Sequence, residues 1–326
     1  MSRVRFLFPV LIFLSCTSQV PRSLGRLREV TVITDHWNDV DETVEAMLSR
    51  PVRTPQPEPE FQLRVGGFER FTALSRLRLI LVIATSGDTL VRRIIGTRID
   101  SLPEGDFGLF KIPNAWVENQ WVLVFVARER EQLVPGLELY SRRILRTLTE
   151  LTLQQMNRAT YLRGINKDLT RKLGERFGWA IDVPLNWLLQ DKDSVDHFIY
   201  IFSHFPDRSV FIYWQDTILE LNPDTLLALR DRLTGSFYNG DSVDRGATLV
   251  DTVEFLGVPT LRVRGVWQNR KEVIGGPFVF YAFNYQNRFF MLDGVVYNPG
   301  EKKLSNLLQV EGIIRTFVPG WTSGRF

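Results

Sequence analysis

Two kinds of apolar run alternate along the first half of this chain. One kind is short, β-branched and uninterrupted: Glu29–Thr34 (EVTVIT), Leu77–Thr85 and Trp121–Ala127 (WVLVFVA). Runs that are apolar on both faces suit strands covered by helices on both sides. Phe61–Val65 reads as a further strand. Asp39 and Glu42 have capping-box spacing, which predicts a helix through about Arg50. The other kind of run is periodic. Leu137, Tyr140, Ile144, Leu148 and Leu151 recur every three or four residues, and Pro135 stands where a first-turn proline is tolerated. That predicts a long helix to about Leu162, ahead of Gly164. Residues 28–163 therefore read as an α/β domain closed by this helix.

The second half has a different rhythm. His197–Phe205 and Ser209–Asp216 read as strands about a Pro-Asp turn, and Leu249–Leu256 and Thr260–Gln268 as strands about Gly-Val-Pro. Pro277–Tyr285 and Arg288–Tyr297 pair as a hairpin across Gln286 and Asn287. Asn222, Pro223 and Gly235 cap, open and end a helix, and Glu301–Phe317 is a last helix with Leu304, Leu307, Leu308, Ile314 and Phe317 inward. Consecutive strands bracketed by helices predict an α+β sandwich on an antiparallel sheet over residues 177–318, after a basic connector at 164–176 and before a tail at 319–326. Pro51–Glu60, with Pro-Gln-Pro-Glu-Pro at 55–59, cannot be helical and reads as a rigid extended connector or a docking strip.

The N-terminus changes the picture most. Arg3 and Arg5 precede the apolar run Phe6–Leu14, and nine residues are too few to span a bilayer but suit a signal-peptide core. Phe13-Leu14-Ser15-Cys16 resembles a bacterial lipobox, in which the cysteine is acylated, for example with palmitate, and becomes the mature N-terminus. The alternative is an ordinary secretory peptide with an incidental cysteine. On the lipobox reading residues 1–16 are removed or anchored, 17–27 form a polar linker, and the body sits on a membrane through its acyl chains. No acidic run follows Cys16, only Thr17-Ser18-Gln19, so the expected location is the periplasmic face of the outer membrane.

Composition adds limits. Hydrophobic residues make up 44% of 326, enough for two cores without metals or staples, and Cys16 is the single cysteine, so no disulfide can form within the chain. The formal charge is +3, and loss of Arg3 and Arg5 would leave 38 basic against 37 acidic residues, which argues against a nucleic-acid partner. One local bias stands out. From Arg142 to Arg176 nine basic residues face Glu150, Asp168 and Glu175. They could meet lipid phosphates or another anionic polymer, or form a solvated helix face between domains.

The order of several motifs carries a resemblance. Phe177-Gly178, Val183-Pro184, Gly265-Val266-Trp267, Gly275-Gly276-Pro277-Phe278-Val279 and Gly294-Val295-Val296-Tyr297, together with the lipobox and Pro-Gln-Pro-Glu-Pro, resemble a Bacteroidetes-type lipoprotein family catalogued as domain of unknown function 4837. The resemblance extends over nearly the whole chain and brings no known activity. The second half alone resembles the Mog1/PsbP type of fold, which implies a sandwich and a binding or assembly habit. The expected fold is thus an N-terminal α/β sandwich followed by a Mog1/PsbP-like antiparallel-sheet sandwich with helices.

Candidate chemistry is sparse. The Gly-x-Ser-x-Gly, Gly-x-x-x-x-Gly-Lys and Gly-x-Gly-x-x-Gly patterns are missing, three histidines are too few and too scattered for a metal site, and no cofactor or metal is expected. Asp35-His36-Trp37 follows the first strand and precedes a helix, where ligands settle in open parallel sheets, so Asp35 and His36 are weak catalytic candidates and Trp37 a binding candidate. The alternative is that Asp35 and Asp39 satisfy helix-start amides. A second candidate surface joins Arg262, Arg264 and Trp267 to Gly275, Gly276 and Pro277, where paired glycines permit close approach, or merely shape a bulge or turn. The expected role is a non-catalytic binding or assembly module for another envelope protein or polymer. The alternative is an envelope hydrolase using Asp35, His36 and Trp37.

Overall fold

The computed structural model describes residues 20–100, 102, 106–193, 197–237, 240–269 and 271–321; the signal segment and Cys16 lie outside the described residues. The first half runs β1 (Glu29–Ile33), α1 (Trp37–Leu48), β2 (Pro51–Val52), β3 (Glu58–Pro59), β4 (Gln62–Gly66), α2 (Phe71–Leu74), β5 (Leu79–Thr85), α3 (Thr89–Ile95), β6 (Phe107–Pro113), β7 (Trp121–Ala127) and α4 (Leu133–Thr160). Its sheet has the order β4-β1-β5-β7-β6, parallel except for β6. The uninterrupted apolar runs are explained by burial on both faces. Leu79, Leu81 and Ile83 of β5 and Leu123 and Phe125 of β7 meet α1 and α4. Their neighbours Ile80, Val82, Ala84, Val122 and Val124 meet α2 and α3 on the other side.

Two expectations for this half are corrected. The chain at 17–27 does not hang free where it is described. Ser23 donates its amide to Glu118 and Leu24 to Arg76, both at 2.9 Å, and the segment bridges to Glu118 and Leu77 because backbone groups there were otherwise unpaired. Helix α1 begins at Trp37, with His36 at the N-cap position, so Asp39 falls inside the first turn and makes no capping box.

The second half runs α5 (Lys167–Phe177), β8 (Leu188–Asp193), β9 (Phe198–Ser203), β10 (Asp207–Gln215), α6 (Pro223–Phe237), β11 (Ser242–Phe255), β12 (Val258–Asn269), β13 (Ile274–Tyr285), β14 (Arg288–Tyr297) and α7 (Leu304–Ile314). The strands form one antiparallel sheet, β11-β12-β13-β14-β10-β9-β8. Alternate residues again part company. Phe198, Phe211, Phe278, Phe280 and Phe289 pack under α6, whereas Ile199, Ile212, Val279, Phe283 and Leu292 pack under α7 with Trp179 and Trp187. Between α6 and β14 the fully buried Arg230 grips Asp293 with two hydrogen bonds, 2.5 and 3.2 Å, and lies 4.0 Å over the Phe278 ring. The stretch 164–176, expected as a connector, is mostly α5. Asn166 caps it by accepting from the Leu169 amide, and Leu173 enters the second core. Trp321 of the expected tail closes over Gly174, where a Cβ would stand 2.1 Å from the indole.

The surface expected around Trp267 is not a surface. Trp267 is 5% exposed, packs under α6 and donates Nε1 to the Val296 carbonyl at 3.3 Å. Gly275, Gly276 and Pro277 are interior residues of β13, paired to β12, and form neither a bulge nor a turn. A Cβ on Gly276 would sit 1.9 Å from the Val296 carbonyl oxygen, so the glycine is required by the close approach of neighbouring backbone.

The Pro-rich segment is not a free docking strip either. It is the small hairpin β2–β3, and it delivers Glu58 into the joint between the halves. Glu58 is 6% exposed. Its Oε1 accepts from the backbone amides of Lys303 and Leu304, at 2.5 and 3.0 Å, at the start of α7. Its Oε2 lies 3.5 Å from the buried Arg28 guanidinium. Arg53 adds a bond from its Nη1 to the Gly246 carbonyl, 2.6 Å. Helices α4 and α7 pack against each other between the two sheets. Among the described residues no helix is long and apolar enough to cross a membrane.

Two substitutions test this joint and this strand. Glu58→Ala strips two helix-start amides of their acceptor and leaves Arg28 buried without its carboxylate, so denaturant unfolding should show a loss of about 3 kcal/mol, and Glu58→Gln a smaller one. Gly276→Ala should lower stability by about 1–3 kcal/mol in the same measurement, through overpacking against a carbonyl that has no rotamer to yield.

Candidate functional site

The Asp35-His36-Trp37 stretch lies at the C-terminal edge of the parallel sheet, as its sequence position implies. Asp35 is exposed, and its Oδ1 accepts from the Phe68 amide at 2.7 Å. His36 finds an acid from another crossover: its Nε2 lies 3.0 Å from Asp88 Oδ2, and that oxygen also accepts from the Thr85 amide and hydroxyl at 2.7 and 3.1 Å. Its other ring nitrogen, Nδ1, faces Asp39 Oδ2 at 3.9 Å. Arg130 holds Asp39 with two bonds of 2.8 and 2.9 Å, and these keep the Asp39 carboxyl below its usual range. A general base needs one nitrogen free for the substrate proton. Here both face carboxylates, so the group clasps the ends of β1, β5 and β7 together. Trp37 is half-buried against the α1/α4 face of the sheet.

Arg262 and Arg264 lead elsewhere. They stand on β12 at the wall of a cavity of about 370 Å³ between the two halves, closed by α4, α7 and the chain around β2. Seven arginines line it, Arg50, Arg53, Arg142, Arg146, Arg262, Arg264 and Arg315, against Glu60, Glu150 and Glu311. Its floor is apolar, made by Leu145, Leu153, Leu304, Leu307 and Leu308 with Phe61. Both strand arginines donate to one carboxylate oxygen, Asp251 Oδ2, at 2.9 and 3.0 Å. Behind them Glu311 Oε1 accepts from the Tyr281 hydroxyl at 2.6 Å and lies 3.5 Å from Arg262 Nη1, while Arg315 donates to the Tyr281 oxygen at 3.4 Å. Burial would raise the Asp251 carboxyl, but the bonds and charges of Arg262 and Arg264 outweigh it and hold the group low. Burial pushes the Tyr281 phenol up, and the Glu311 carboxylate adds to this against Arg315 and Arg262.

Three lining atoms are buried without a hydrogen-bond partner: Thr152 Oγ1, Arg262 Nε and Arg264 Nε. A second groove of about 550 Å³ along α1 and α4 shares Arg50, Arg142 and Leu145 with the first, so the two hollows adjoin. The arginine excess at 142–176 is therefore split. Arg142 and Arg146 face the cavity. Arg171 pairs with Asp168 at 2.8 Å on the open surface, and Arg158 reaches Asn119. Sequence reading finds Arg262 and Arg264 on a shared face but misses Tyr281, Glu311 and Arg315, which meet them only when α7 packs on the second sheet, and Arg50 and Arg53, which join only when the halves dock. Among the described residues no group of three or more His, Cys, Asp or Glu gathers as for a metal ion.

The Tyr281–Glu311 contact has a pH signature. A phenol with a raised folded pKa contributes stability that is full below its unfolded value, about pH 10, and is lost as pH rises toward the folded value. Tyr281→Phe should cost about 1–2 kcal/mol at pH 7, since Glu311 loses its shortest donor, and the gap to the parent should narrow above about pH 10 in urea titrations at stepped pH.

Comparison with known proteins divides the chain where the structure does. Residues 166–316 match the family described as Domain of unknown function (DUF4837), and residues 23–161 match Domain of unknown function (DUF8532). The resemblance read from the second-half motifs is borne out there, but the Pro-Gln-Pro-Glu-Pro segment falls within the other family, so the first resemblance does not span the chain. No curated protein matches. Solved structures give low likeness. A crystal structure from Bacteroides thetaiotaomicron VPI-5482 matches at 11% identity and TM-score 0.28 over 45% of this chain and 47% of that one, so the chain spans about half of that protein's length. The solution structure of cyanobacterial PsbP (CyanoP) from Synechocystis sp. PCC 6803 matches at 11% identity and TM-score 0.30 over 43% of this chain and 86% of that one. The architecture rests on the strand order described above and not on these likenesses. The second half of the chain is thus similar to the DUF4837 family and the first half to the DUF8532 family, both of unknown function.

Proposed function

We propose that this protein is a lipid-anchored component of a bacterial envelope that works by binding, with the arginine-lined cavity between its domains as the ligand site. The anchor is Cys16, and the location is the periplasmic face of the outer membrane. The reading of the N-terminus rests on the positive start, the short apolar run and the lipobox-like Phe13–Cys16. The single observation that favours binding at the joint is the cavity itself, apolar in its floor, positive in its walls, and holding buried polar atoms without partners. Sites between domains are where ligand pockets concentrate.

A second reading, an envelope hydrolase at Asp35, His36 and Trp37, draws on one observation, the 3.0 Å contact of His36 with Asp88. The carboxylate facing the other ring nitrogen weighs against it. The envelope reading is tested by fractionating cells that express the parent or Cys16→Ala. The parent should sediment with outer membrane and the variant should be released in soluble form; retention of the variant overturns the anchor. A photoreactive residue in place of Leu308, in the apolar lining of the cavity, should form one reproducible adduct in the anchored protein. Absence of any adduct overturns the binding site.

A further inference from the structure

We infer that the cavity takes a single-tailed anionic amphiphile, with a carboxylate or phosphate head against Arg262 and Arg264 and an apolar tail along α4 and α7. The inference deepens the binding reading above and rests on it. The charge pattern points to an anion. The seven arginines of the walls meet three glutamates, and Asp251 on the neighbouring strand β11, directly opposite Arg262, adds one more negative charge, which leaves a surplus of three positive charges. Arg262 and Arg264 share one carboxylate oxygen between two guanidiniums, and each keeps a buried Nε without a partner. An unpaired donor in a buried site is costly, and planar guanidiniums match carboxylate and phosphate oxygens two bonds at a time.

The partner must also be apolar. Leu145 and Leu153 of α4 and Leu304, Leu307 and Leu308 of α7 together line the hollow. A small inorganic ion would leave that surface wet, and a neutral lipid would leave the arginines unanswered. Thr152 is the one hydroxyl of the helical wall that is almost fully buried, at 1% exposure, and its Oγ1 bonds to nothing. It supplies a third polar point in the lining of the same cavity. A volume of about 370 Å³ falls at the small end of ligand sites, which suits one chain rather than the two of a bilayer phospholipid.

Calorimetric titration of the full-length chain carrying Cys16→Ala tests this, with dodecanoate and dodecyl phosphate as probes below their micelle concentrations. Dodecyl maltoside and inorganic phosphate serve as the tail-only and head-only comparisons. Both anionic amphiphiles should bind at least about tenfold more tightly than either comparison, and the tighter of the two identifies the head as carboxylate or phosphate. Arg264→Gln should weaken binding by about tenfold, and Arg142→Gln with Arg146→Gln, on the exposed rim, by a few-fold, whereas Arg171→Gln should change nothing. Equal binding of dodecyl maltoside, absence of binding by both anions, or unchanged affinity in the arginine variants overturns the inference. An adduct at Leu308 in cells with no amphiphile binding here would refute the ligand class and leave the binding reading standing; failure of both would remove the site altogether.

Discussion

A carboxylate at the start of a helix fixes the relation between the two domains. Helix α7 belongs to the second domain, but its first amides are answered by Glu58, which arrives on a hairpin of the first. The unpaired amides of a helix start carry partial positive charge, so a buried acid there is favourable where an isolated one would not be. Arg28 neutralises the remaining oxygen and is itself anchored by the Glu60 carbonyl at 2.9 Å. The prolines around Glu58 prevent the hairpin from becoming helix and keep the acid extended toward its target. The cavity follows from this arrangement. Once Glu58 seats α7, the rest of α7 lies along α4, and the space beyond their contact is bounded by β12 on one side and β2 on the other.

The second sheet has its own pin. Arg230 and Asp293 are buried completely, and their mutual bonds and the Phe278 ring offset part of the hydration both groups lose, while Arg230 Nη1 is left without a hydrogen-bond partner. A pair of this kind specifies which residue of α6 sits over which residue of β14 more sharply than phenylalanines alone, because a shifted register would strand two charges. That rigidity reaches the candidate site through Phe278, which packs under α6 and also lines the cavity.

Much of the fold was legible in residue pattern. WVLVFVA was apolar at every position because helices cover both faces, and it became β7 with the bounds expected from sequence. The stripe from Leu137 to Leu151 became the buried side of α4. Elements whose stability is tertiary were less visible. Helix α5 is rich in Lys and Arg, and the Leu169, Leu173 and Phe177 that tie it to the second core are too few to outweigh that charge in the residue pattern. Trp267 misled for the opposite reason: a tryptophan beside glycines suits a binding anchor, but the glycines exist to let backbone approach, and the ring fills the space under α6. The His36–Asp88 contact spans 52 positions, and the cavity arginines come from α4, from β12, from the chain flanking β2 and from the residue after α7. Such convergence leaves no local spacing to read.

Arg142 and Leu153 reach the cavity from the first domain, and Arg264 and Leu308 from the second. Occupancy and docking therefore cannot be independent variables. Anything that fills the space with favourable contacts on both walls raises the free energy needed to part the domains, and by reciprocity anything that parts them lowers affinity by the same factor. On the binding reading proposed above, a force on one domain, or an encounter with one, would be felt as a change in affinity at the joint.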